Sequence, residues 1–99
     1  MSKIALITGG SRGLGRSMAQ HLAASGRDII LTYHRNAQAA HDVVEQIEQL
    51  GQRALAVQLD IAQTDSFARF VTQLSTLLNE KWQLNHIDFL VNNAGTGVF

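Results

Sequence analysis

The chain has 99 residues, 45% of them hydrophobic and 16% charged, which is the composition of a soluble globular protein with enough length to bury a core. Eight basic and eight acidic residues cancel, so there is no basic excess of the kind that marks a nucleic-acid partner. No apolar run reaches the roughly 18 residues of a membrane span, and cysteine is absent, which removes disulfides and thiolate metal sites. The N-terminus lacks the long apolar core of a signal peptide, so the cytoplasm is the default compartment.

Four strands are predicted to alternate with three helices. The apolar run Ile4-Ala5-Leu6-Ile7 forms the centre of strand one, over about 3–8. A glycine-rich turn follows and opens into a helix over 12–25, whose apolar positions Leu14, Met18 and Leu22 recur every four residues and which Gly26 ends. Strand two covers 28–33 around Ile29, Ile30 and Leu31. Helix two covers 37–50, with Ala40, Val43, Val44, Ile47 and Leu50 as its inward stripe and Gly51 as its stop. Strand three covers 54–59. Helix three runs from Thr64, an expected N-cap, to Trp82, with a face of Phe67, Phe70, Val71, Leu74, Leu78 and Trp82; Trp82 reads as a packing residue or helix-end anchor. Strand four covers 87–91.

This alternation predicts an α/β fold: a Rossmann-type, doubly wound parallel sheet with helices on both faces. Right-handed crossovers give the strand order 3-2-1-4. Strand four is then an edge, yet Phe89, Leu90 and Val91 read as a strand buried on both sides. That mismatch predicts that more polypeptide follows, as do the glycines and apolar tail of Gly95-Thr96-Gly97-Val98-Phe99.

The turn Thr8-Gly9-Gly10-Ser11-Arg12-Gly13-Leu14-Gly15 is the candidate phosphate-binding segment. Glycines let the backbone approach a pyrophosphate without Cβ clash, and a helix start presents free N–H groups and a positive dipole end to an anion. Residues 10–17 also approach the P-loop pattern G-x-x-x-x-G-K-[ST], with Arg16 in place of the lysine. The end of strand two reads Thr32-Tyr33-His34-Arg35-Asn36, with no carboxylate to accept from the ribose 2′-OH of NAD(H). Arg35 offers a fork for a 2′-phosphate and His34 a further donor. The pattern therefore favours NADP(H) over NAD(H). Asp60 follows strand three, and Asn92-Asn93-Ala94-Gly95 follows strand four.

The spacing T-G-x-x-x-G-x-G, the strand-end Asp60 and the N-N-A-G motif, in that order, resemble the short-chain dehydrogenase/reductase family, with the nearest flavour that of the 3-oxoacyl-[acyl-carrier-protein] reductases. The resemblance spans nearly the whole chain. It implies that Asp60 accepts from the adenine amino group, with the backbone near Ile61 bordering the same ring. It implies that Asn92 contacts the adenosine ribose region and that Ala94 and Gly95 line the cofactor cleft. Arg12 occupies a position where many NADP-using relatives place a second basic group. Family members run to about 250 residues, and their catalytic Ser and Tyr-x-x-x-Lys lie beyond N-N-A-G. The one tyrosine here, Tyr33, belongs to strand two, so no catalytic position is assigned.

The expectation is the cofactor-binding N-terminal part, residues 1–99, of a single Rossmann domain from an oxidoreductase. The parent would exchange hydride with a small-molecule carbonyl or alcohol and form a homo-oligomer at full length, without a nucleic-acid or membrane partner. A non-catalytic nucleotide-binding or interaction module is the alternative. The four histidines show no metal-ligand grouping, and Asp65, Asp88, Glu45, Glu48 and Glu80 read as surface residues.

Overall fold

The computed structural model describes residues 3–9, 13–59, 64–84 and 86–92, with the backbone alone at 64–67 and 92. The elements are β1 (Ile4–Thr8), α1 (Gly13–Ala24), β2 (Asp28–Tyr33), α2 (Ala37–Gln49), β3 (Ala54–Gln58), α3 (Thr64–Trp82) and β4 (Phe89–Asn92). The sheet has the order β3-β2-β1-β4, and every pairing is parallel. The expected topology is thus the observed one, and β2 and α3 have the expected bounds.

Alternation along the strands divides the core into two clusters, one on each face of the sheet. Ala5, Ile7, Ile29, Leu31 and Ala54 point to one face and pack with Ala19 and Ala23 of α1 and Ala40, Val43 and Ile47 of α2. Ile4, Leu6, Ile30 and Val57 point to the other and meet Phe70, Leu78 and Trp82 of α3. β1 and β2 are covered on both sides, which is why they read as unbroken apolar runs. Helices α1 and α2 close in the same way. The N–H of Gly26 donates to the Ala23 carbonyl and that of Arg27 to Leu22; the N–H of Gly51 donates to Glu48 and that of Gln52 to Ile47.

The buried face of α1 differs from the expected stripe. Leu14 is 68% exposed, and the buried positions are Gly15, Ala19 and Ala23, one residue further along. Met18 and Leu22 only flank that seam. The positions that α1 buries are thus its small ones, a glycine and two alanines. Leu50 and Val71, also expected inward, stand exposed at the C-cap of α2 and on the outer side of α3. The side chains of Thr64, Asp65 and Phe67 lie outside the described part.

β4 departs from expectation in two respects. Its ladder begins at Phe89 rather than Ile87, and Ile87 packs under α3 instead. Leu90, paired in register with Leu6, is 63% exposed, and Phe89 is 38% exposed, so the strand is not buried on both sides within these residues. The α3 cluster reaches across β1, β2 and β3 but does not include Leu90. The guanidinium of Arg27 and the ammonium of Lys3 lie 5.0 and 5.8 Å from the centre of the Phe89 ring. Asp88 is more than a surface residue: its Oδ2 accepts the Ile4 N–H at 2.8 Å, which satisfies the first donor of β1. Its Oδ1 lies 3.6 Å from His86 Nε2.

The amino-terminal edge of the sheet is gathered by one buried carboxylate. Asp28, 5% exposed, opens β2. Its Oδ1 accepts from the Arg53 backbone N–H and from Gln52 Nε2, both at 2.9 Å, and its Oδ2 accepts from Trp82 Nε1 at 2.7 Å. Its own N–H donates to the Lys3 carbonyl. Trp82, expected as a packing residue or helix-end anchor, is both: it belongs to the core cluster under α3 and has a defined polar partner at the helix end. Arg53 Nη1 also donates to the Lys81 carbonyl at the end of α3.

Two stability predictions follow from this packing. Ala19→Leu should destabilise the chain by about 1–3 kcal/mol through overpacking, whereas Leu14→Ala should change it by less than about 0.5 kcal/mol; urea unfolding of both variants checks the order. Trp82→Phe should cost roughly 1.5–3 kcal/mol, the worth of a hydrogen bond to a charged acceptor. Because it removes the sole tryptophan, that unfolding is best followed by circular dichroism. A loss below 0.5 kcal/mol, on the order of an ordinary surface change, would contradict the anchoring role.

Candidate dinucleotide-binding edge

In a parallel sheet all strands end at one edge, and in open α/β sheets ligands bind there, where the strand order reverses. Here that edge carries the turn after Thr8 of β1, the segment after Tyr33 of β2, the segment after β3 and the end of β4. The reversal lies between β1 and β4, since the chain crosses outward from β1 to β2 and β3 and then returns to β1's other side. Thr8 and Asn92 are register partners across it, and Thr8 Oγ1 donates to the Val91 carbonyl at 3.4 Å.

Gly9 leaves β1 with φ +71°, and Gly13 enters α1 with φ +60°. A Cβ on Gly13 would meet nothing within 4 Å, so conformation, not crowding, is what calls for glycine there. The first turn of α1 contains no acidic side chain. No carboxylate of that turn compensates its N–H groups and dipole, which suits an anion site. Gly15 is buried in this first turn, and Leu14 is exposed beside it.

Hydrogen bonds tie down the segment after β2. Gln58 Nε2 donates to the His34 carbonyl, the Ala37 N–H to the Arg35 carbonyl, and Asn36 caps α2 by accepting the Ala39 N–H at 3.0 Å. His34 and Arg35 are both exposed, and among the described residues the Arg35 guanidinium makes no ion pair. The strand end holds no carboxylate, and it carries the exposed guanidinium of Arg35. The residues present fit a phosphorylated dinucleotide in this respect.

One residue at this edge is not evident from pattern reasoning. Thr32, 2% exposed within β2, accepts the Gly9 N–H on its Oγ1 at 3.0 Å. A threonine inside an apolar strand reads as an ordinary β-former; only the three-dimensional neighbourhood reveals its acceptor role. Of the expected site residues, Gly9, Gly13, Leu14, Gly15, His34 and Arg35 are brought to this edge, with the Asn92 backbone. Ser11, Arg12, Asp60, Ile61, Ala94 and Gly95 lie outside the described residues.

Comparison with known proteins agrees with this architecture. A family model described as short chain dehydrogenase matches residues 3–99. A hydroxynaphthalene reductase-like protein, Arp2, of Metarhizium acridum is 39% identical over 98 residues, covering 98% of this chain and 34% of that protein. The 3-oxoacyl-[acyl-carrier-protein] reductase FabG of Staphylococcus epidermidis is 37% identical over 95 residues, covering 96% of this chain and 36% of that protein. The angucycline C-6 ketoreductase LanV, solved with bound NADP, superimposes with a TM-score of 0.87 at 36% identity, over 92% of this chain and 35% of that one. The chain thus spans about a third of the length of the curated relatives it matches. With the glycine turn, the 3-2-1-4 parallel sheet and the family match in agreement, the chain belongs to the short-chain dehydrogenase family.

Proposed function

We infer that residues 1–99 are the N-terminal, cofactor-binding part of a single Rossmann domain in an NADP(H)-dependent short-chain oxidoreductase. The parent protein reduces a small-molecule carbonyl, or oxidises the corresponding alcohol. The observation that carries the reading is the end of β2: exposed Arg35 in a segment, Thr32 to Asn36, that holds no carboxylate, one strand away from the Gly9 turn. The NADP bound to the similar ketoreductase supports it.

In this reading the first turn of α1 holds the pyrophosphate on its N–H groups, and Gly9 and Gly13 shape the approach. Arg35 pairs with the 2′-phosphate, with His34 and Arg12 as further donors. Asp60 and the Ile61 backbone border the adenine, and Asn92, Ala94 and Gly95 border the ribose and the cleft. The nicotinamide, when bound, supplies the hydride. No catalytic proton donor is assigned within this chain.

Replacing the cation by an anion tests the assignment. Arg35→Asp should weaken NADPH binding at least about tenfold, the scale of one charge-assisted hydrogen-bonded pair, and weaken NADH binding less. Titration of cofactor fluorescence with the 99-residue chain reads both affinities. Equal losses for the two cofactors, or a wild-type chain that binds neither, would contradict the proposal.

A further inference from the structure

We propose that Thr32 is a positioning residue for the phosphate turn: its hydroxyl oxygen holds the Gly9 N–H and so presets the backbone path on which a dinucleotide is bound. The role rests on the cofactor reading above, and nothing in the motif pattern points to it.

The argument begins with the turn's composition. Four of the seven residues at 9–15 are glycines, and glycine has the greatest backbone freedom of any residue. Ordering such a backbone costs conformational entropy, and a cost left to the moment of binding weakens affinity. Gly13 starts a helix whose next residues are packed, with Gly15 and Ala19 buried. Gly9 leaves a strand end in a left-handed conformation, φ +71°, a path its own side chain does nothing to enforce.

Thr32 supplies a fixed point for that end. It sits in the middle of the sheet, between β1 and β3, with Val57 as its register partner, and it is 2% exposed. A β-branched side chain in a strand has few χ1 options, so the position of Oγ1 is set by the sheet itself. The 3.0 Å bond spans 23 residues of sequence. It joins the turn to the strand that, two residues later, presents His34 and Arg35. The phosphate-reading turn and the 2′-phosphate-reading segment are thereby held to one rigid strand.

The expected signature differs from that of Arg35. The turn serves the pyrophosphate, which NADPH and NADH share, so loosening it weakens both cofactors by the same factor. Thr32→Val keeps the shape of the side chain and removes the acceptor; Thr32→Ser keeps the acceptor. In the 99-residue chain, Thr32→Val should weaken NADPH and NADH equally, by about three- to tenfold, the range of one hydrogen bond. Thr32→Ser should restore most of the affinity. Amide hydrogen exchange, read without cofactor, should show the Gly9 N–H exchanging faster in Thr32→Val, with the Ile30 and Leu31 amides unchanged. Unaltered Gly9 exchange in Thr32→Val, or a loss confined to NADPH, would overturn the role. If Thr32→Val does not fold, Gly9 protection in the wild type compared with Thr32→Ser decides: an unprotected Gly9 amide in both overturns it. If the wild type binds neither dinucleotide, the functional reading fails, and Gly9 exchange still decides whether Thr32 holds the turn.

Discussion

A single buried carboxylate organises the base of this molecule. Asp28 receives hydrogen bonds from Gln52 and the Arg53 backbone, which lead into β3, and from Trp82, which ends α3, while its own N–H joins β1. Desolvating a carboxylate is costly unless its lone pairs are engaged. With three donors in place the charge is accommodated, and the donors are in turn held where they are. Three strands and a helix are thereby registered at the amino-terminal edge. Side chains alternate along each strand, so a one-residue slip would turn Asp28 away from Trp82 and exchange the residues that β2 packs against α1 and α2 with those it packs against α3. Polar satisfaction and apolar burial therefore choose the same register.

Register at the base determines what assembles at the opposite edge. Parallel strands of five or six residues carry it upward, so that Thr8, Tyr33 and Gln58 end beside one another. Gly9, Gly13, the Arg35 segment and the end of β4 then share the carboxyl edge of the sheet. Division of labour follows: the base is closed by packing and buried hydrogen bonds, whereas the upper edge is left with glycines of positive φ, a helix start without acids and an exposed cation. The small-residue seam of α1, Gly15, Ala19 and Ala23, links the two, because it runs from the first turn of the helix at the upper edge down along the packed face of the sheet.

Much of this was legible in the sequence. The range of β2 and the full length of α3 follow from apolar periodicity, the strand order from the strand–helix alternation and right-handed crossovers, and the T-G-x-x-x-G-x-G and N-N-A-G spacing identifies the family. The errors share a physical cause. Periodicity weighs large apolar residues most, so it placed Leu14 inward and overlooked a face built from glycine and alanine. Leu50 and Val71 failed in the same manner, since an apolar residue at a helix end or on its outer side carries no mark of its exposure. Polar residues in apolar surroundings were harder still. Nothing local distinguishes Asp28 or Asp88 from a turn aspartate, or Thr32 from a β-former, because their partners lie 23 to 84 residues away in sequence.

The central claim is that the carboxyl edge of the sheet reads an adenosine dinucleotide carrying a 2′-phosphate. The most direct measurement is an NMR shift titration of the chain with adenosine 2′,5′-bisphosphate and, separately, with adenosine 5′-monophosphate, two probes that differ in that phosphate alone. The account predicts tighter binding of the bisphosphate, with shifts concentrated at Gly9, Gly13, Gly15 and Arg35. Equal affinities, or shifts centred on the Asp28 end of the sheet, would contradict it.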